Sequence, residues 1–175
     1  MARTKSLSDV IILDIVLQLL LQDGEKAVSF ASAAHASGLA APTLVQRYGS
    51  RDAMVKSGVL RGWDRLDAAT LVASDDALIS AKGGQSFLKM TASCIDIPTL
   101  LAVSARDKDL IARATSWRLV VESALKDRLG GGTQGRDAGA LMFAAWQGRL
   151  LWDIAGGKTF RLGDALRKAA DHRAI

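Results

Sequence analysis

Five side chains in one short stretch have the chemistry to read a nucleic acid: Ser29, Thr43, Gln46, Arg47 and Tyr48. Glutamine can pair with adenine through two hydrogen bonds, and arginine with guanine or a phosphate. Hydroxyls at helix N-termini, beside free backbone N–H groups, suit phosphate oxygens, and the spacing puts Ser29 and Thr43 at such positions. Tyr48 ends the same segment with its ring turned inward and is grouped with this set. Arg51 opens the next helix and offers a further phosphate contact, while Arg3 and Lys5 make a short basic arm suited to the backbone or a minor groove.

Rival chemistries are poorly represented. The single cysteine, Cys94, excludes an intramolecular disulfide and any cysteine metal cage. His35 and His172 lie far apart without metal-ligand spacing, and His35 reads as a surface or cap residue. There is no recognisable nucleophile–base pair or carboxylate pair, and Gly130 to Gly135 lacks the Gly-Lys-Ser/Thr ending of a phosphate loop. The sequence does not read as an enzyme and calls for no metal and no cofactor.

These residues need a scaffold, and the composition points to an all-α one. The chain has 175 residues, 49% hydrophobic and 23% charged, which is long enough for a real core. Ala and Leu dominate, Pro occurs only at Pro42 and Pro98, and β-branched residues do not alternate. A first helix is expected from about Ser8 to Gln22, ended by Asp23-Gly24. Its apolar run follows Arg3 and Lys5 as a signal peptide would, but Asp9, Asp14 and Gln18 interrupt it. It reads as a mostly buried helix with a wet stripe at Asp14, Gln18 and Gln22. No spanning helix and no membrane partner are expected, so the default location is the cytoplasm.

Ser29 caps a second helix to about Ala36, Ser37-Gly38-Leu39 turns, and a third runs from Pro42 to Tyr48-Gly49. Ser50 caps a fourth helix to about Val72. Ser74-Asp75-Asp76 is expected to open a fifth, kinked or split by Gly83-Gly84, which is also a candidate ligand entry. A short helix from Thr99 to Ser104 follows, then a long one capped by Asp107 and stopped near Leu129. Gly130 to Gly135 reads as a flexible loop, Gly135 to Ile154 as a strong helix, and Leu162 to Ala170 as the last.

Two short helices joined by a tight glycine turn over about 20 residues form the helix-turn-helix pattern. Here it runs from Ser29 to Tyr48, with Phe30, Ala33, Ala34, Leu39, Leu44 and Tyr48 inward and Thr43, Gln46 and Arg47 outward. Gly24, Ser29, Ala34, Gly38-Leu39, Thr43-Leu44, Tyr48 and Arg51-Asp52-Ala53-Met54 follow a longer pattern over about residues 7 to 60. At these positions the sequence resembles the TetR family of transcriptional regulators. Trp146-Gln147-Gly148-Arg149-Leu150-Leu151, in the penultimate helix, is similar to the family as well.

The resemblance implies a DNA-binding domain over residues 1–50 and a helical ligand-binding and dimerisation domain over 51–175. It implies a repressor that binds double-stranded operator DNA as a homodimer and leaves it when a small molecule binds. Ser29, Thr43, Gln46, Arg47 and Arg51 would be the DNA contacts. The chain departs from the family at Val45, where a tyrosine is usual, and at Ala40-Ala41, where a Ser/Thr cap is usual. These departures motivate an alternative: the same fold acting as a ligand-binding or protein-interaction module without DNA.

The charge permits DNA without demanding it. The net charge is +5, but the first 65 residues hold eight basic and six acidic side chains, an excess of two (8 − 6). Downstream, Phe87, Met90, Thr91 and Cys94 share one helical stripe, and Trp117 and Val121 are one turn apart. With Phe143, Trp146 and Gln147 they are candidates to wall a cavity for a small apolar or amphipathic ligand, or simply to fill the core. Small residues at Gly139, Ala144, Ala145 and Gly148, beside Leu141, Phe143, Leu150 and Leu151, suggest a homodimer through the last two helices.

Overall fold

The computed structural model describes residues 7–76, 81–92 and 95–156. Among them the architecture is all helical. The elements are α1 (Asp9–Asp23), a 3-10 turn (Glu25–Ala27), α2 (Phe30–Ser37), α3 (Ala41–Tyr48), α4 (Arg51–Asp76), α5 (Ala81–Ala92), α6 (Ile97–Ser104), α7 (Lys108–Arg128), α8 (Gly132–Trp152) and a closing 3-10 turn (Asp153–Ala155). The helix expected at 162–170 lies outside the described residues. No single helix among them is long and apolar enough to cross a membrane.

The chain forms two compact units, residues 1–65 with 99–113, and residues 66–98 with 114–175. In the first, Ser8 caps α1, which buries Ile12, Val16, Leu17 and Leu20. Only this face is buried. Val10 and Ile11 are about half exposed, so α1 is less enclosed than its composition suggests. Two glycines let α4 pack closely. A Cβ at Gly58 would lie 2.6 Å from Val16 Cγ1 of α1, and one at Gly62 would lie 3.1 Å from Leu17 Cδ1 of α1 and 2.7 Å from Leu100 Cδ1 of α6. The stripe read as wet lines an open groove of about 640 Å³, in which Arg61 grips Asp14 through Nε (2.9 Å) and Nη2 (3.1 Å). That fork holds the Arg61 pKa above its ordinary value.

Buried Trp63 on α4 donates to Ser104 Oγ of α6 at 3.0 Å. Asp107 caps α7 by accepting from Asp109 N (2.8 Å) and Leu110 N (3.2 Å). Lys56 reaches the same region, at 2.9 Å from Asp107 and 2.6 Å from Asp109. Those carboxylates raise the Lys56 pKa, and the Lys56 ammonium with the cap N–H groups lowers that of Asp107.

Three expectations are corrected in the second unit. Ser74-Asp75-Asp76 does not open a new helix but belongs to α4. Ser74 Oγ donates back to Thr70 O at 2.8 Å, so the hydroxyl serves the helix it was expected to follow. Gly83-Gly84 does not interrupt α5. Both glycines are helical and buried, and a Cβ on Gly84 would sit 3.0 Å from Met142 Sδ. The segment from Gly130 to Gly135 is not all loop, because α8 begins at Gly132. Gly130 and Gly131 make the turn with positive φ, and Gly135 packs on α7.

Candidate nucleic-acid interface

Local chemistry shapes α2 and α3. Ser29 Oγ accepts from Ser32 N at 3.0 Å while Ser29 N donates to Ser32 Oγ at 2.9 Å, a reciprocal capping box. The Ser29 hydroxyl is therefore engaged in holding the start of α2. Gly38, left-handed at φ 70°, ends α2, and buried Ser37 accepts from Leu39 N in the turn. Ala33 and Leu44 are fully buried; Phe30, Ala34, Leu39 and Tyr48 are half-buried. Ala40 gives α3 no side-chain cap, and Pro42 in the first turn has no N–H to satisfy.

The outer surface of α3 carries Val45, Gln46 and Arg47, with Thr43 half-buried beside them. Gln46 is exposed, as a base-reading side chain must be. Arg47 is not free. Its Nη1 donates to Leu7 O at 2.8 Å and to Asp9 Oδ1 at 3.2 Å. The Tyr48 hydroxyl donates to the same carboxylate oxygen at 3.4 Å. Burial, then the Asp9 charge, pushes the Tyr48 pKa up to about 12.

Arg51 is also engaged inside the molecule. Nε donates to Val28 O at 2.9 Å, Nη2 to Glu25 O, and Nη1 to Asp52 Oδ1 at 3.0 Å. The guanidinium ties the 3-10 turn to the start of α4. Arg3 and Lys5 lie outside the described residues. Sequence reading missed Asp9 as a partner of α3, because it registered there only as a break in an apolar run. Its partners are 38 and 39 positions away, so no local pattern marks the contact.

The residues proposed for a ligand gather in the second unit. Phe87, Thr91, Trp117, Val121, Phe143 and Trp146 are buried, and Met90 and Gln147 are half-buried. Cys94 lies outside the described residues. Trp117, Phe143 and Trp146 form one cluster, with centroid separations of 6.1, 6.4 and 5.7 Å. Trp117 Nε1 donates to Thr70 Oγ1 at 3.0 Å. Phe87 instead meets Arg128, whose guanidinium carbon lies 4.6 Å from its centroid. Arg128 donates to Ala124 O and Ser74 O at 2.7 and 2.8 Å, joining the last turn of α7 to α4.

No protein-family profile matches the chain, and no curated protein matches it in sequence. Solved structures do match. A TetR transcriptional regulator from Legionella pneumophila is similar over 98% of this chain and 99% of its own, with a TM-score of 0.68 and 18% identity. The TetR family transcriptional regulator PfmR from Thermus thermophilus is similar over 91% of this chain and 94% of its own, with a TM-score of 0.60 and 18% identity. The chain has the TetR-regulator fold. In that TetR-like frame, Ser29 to Tyr48 is the helix-turn-helix and α3 its second helix.

Proposed function

We propose that this chain is a TetR-like transcriptional regulator. Residues 1–50 form its DNA-binding head and 51–175 its ligand-binding and dimerisation domain. The observation that carries the reading is the exposed Gln46 on α3, set in a helix-turn-helix within this fold. Inserted in the major groove, α3 presents Gln46 to a base edge, with Thr43 and Arg47 beside it. Arg51, whose donors face Glu25, Val28 and Asp52, positions α4 rather than reaching for phosphate.

The proposed protein partner is a second copy of the chain. On α8 the exposed face carries Leu141, Ala144, Leu151 and Trp152, with Gly148 half-buried among them. Nothing lies within 4 Å of a Cβ built on Gly148, leaving room for a close helix. A two-fold pair through α8 and the helix expected at 162–170 would set two heads about 34 Å apart, or a multiple of that. The release signal is a small apolar or amphipathic molecule that parts the Trp117, Phe143 and Trp146 rings. Repression follows when the dimer covers a promoter.

A second reading, a protein-interaction module without DNA, is favoured by exposed Val45 and by the internal bonds of Arg47 and Arg51. Selection of duplexes from a random pool separates the two. The regulator reading expects enrichment of a two-fold symmetric sequence whose binding falls steeply with salt. Recovery of no enriched sequence contradicts it.

A further inference from the structure

We propose that Asp9 sets the balance between specific and non-specific DNA binding by holding Arg47 as a fixed fork. The inference rests on α3 being the DNA-reading helix. Arginine has five N–H donors. The Nη1 group of Arg47 is committed to Leu7 O and Asp9 Oδ1, while Nη2 and Nε have no partner among the described residues. One edge of the guanidinium is anchored and the other presented.

Asp9 is itself placed by two neighbours on α3, Arg47 and Tyr48. Its side chain is 69% exposed, whereas that of Arg47 is 29% exposed. An approaching phosphate therefore meets a negative charge beside an arginine that is already engaged. A base edge that fits the presented N–H pair meets a side chain needing no further ordering. Asp9 thus discriminates against bare backbone binding, in which any mobile cation will serve, more than against a fitted site.

Asp9→Asn removes the charge, keeps the side-chain size and leaves the Ser8 cap in place. The assay measures affinity for a mixed-sequence duplex and for the tightest duplex selected from a random pool, across a salt series. Freed Arg47 adds one phosphate contact. Mixed-sequence affinity should then rise about fivefold near ~0.15 M salt, and the slope of log K against log salt should steepen by about 0.9. The ratio of selected to mixed-sequence affinity should fall.

In an Arg47→Gln background the Asp9→Asn change should leave the slope unaltered, with thermal unfolding checked for every variant. Unchanged mixed-sequence binding in Asp9→Asn overturns the inference, and so does a gain that persists without Arg47. If the wild type binds the selected duplex and Asp9→Asn changes nothing, this inference alone fails. If the wild type binds no duplex, the reading of α3 fails with it.

Discussion

Gly135→Ala tests how α7 and α8 are held together. In an open helix the change stabilises by about 0.5–1 kcal/mol, because glycine loses more backbone freedom on folding. Gly135 is buried, and a Cβ there would lie 2.7 Å from Lys126 O and 3.4 Å from both Gly130 C and Leu129 O. All three are backbone atoms, so no side-chain rotation relieves the contact. Lys126 O also accepts from Leu129 N (3.2 Å) and Gly131 N (3.0 Å), the bonds that close the end of α7. Moving that carbonyl disturbs the turn as well as the helix pair.

Overpacking of this kind costs about 1–3 kcal/mol, which exceeds the propensity gain. At about 2–4 °C per kcal/mol for a chain of this size, the midpoint should fall by several degrees. Gly139→Ala should lose less, because its nearest contacts are 3.0 Å to Lys126 N and 3.3 Å to Glu122 O. Scanning calorimetry of the two variants measures the order. A Gly135→Ala midpoint equal to or above that of the wild type would refute the close-approach argument.

Arg51→Lys should lower the unfolding midpoint, because lysine keeps the charge but cannot reproduce the fork to Val28 O, Glu25 O and Asp52. A changed salt slope with unchanged stability would instead place Arg51 at a phosphate. Asp107→Asn keeps a cap acceptor and removes the charge facing Lys56, whereas Asp107→Ala removes both and should lower the midpoint further. The Asp107 pKa is lowered in the fold, so its contribution is present above the ordinary carboxylate range and is lost as pH falls through the folded value. The midpoint gap between wild type and Asp107→Asn should close in acid, as thermal melts against pH will measure. Leu141→Glu, on the exposed face of α8, should give a monomer by light scattering while keeping the helical circular dichroism of the wild type.

Local signals carried much of this fold into view. Ser8, Gly24, Ser29, Gly38 and Asp107 mark helix ends by their own chemistry, and each does so in the structure. Glycine was harder to read. The same residue breaks a helix or lets another approach it, and only the neighbour decides. Gly130 turns the chain, while Gly84, Gly135 and Gly139 meet Met142, Lys126 and Glu122. The return of residues 99–113 to the first unit is likewise a matter of packing, made by contacts such as Trp63 to Ser104.

At the candidate interface, the exposure of Gln46 followed from helical periodicity. The engagement of Arg47 and Arg51 did not, since the backbone carbonyls they hold lie 23 to 40 residues away. Neither was the aromatic cluster's mutual contact visible, because a stripe on one helix does not say which ring it meets.

The proposed role of Gln46 is to read a DNA base from α3. The most direct measurement is the affinity ratio of wild type and Gln46→Ala for the tightest selected duplex and for single-base variants of it, at one fixed salt concentration. Gln46→Ala should lose about 1–3 kcal/mol on the selected duplex and lose discrimination at one base pair in each half-site. Equal affinities and equal discrimination in the two proteins would contradict it.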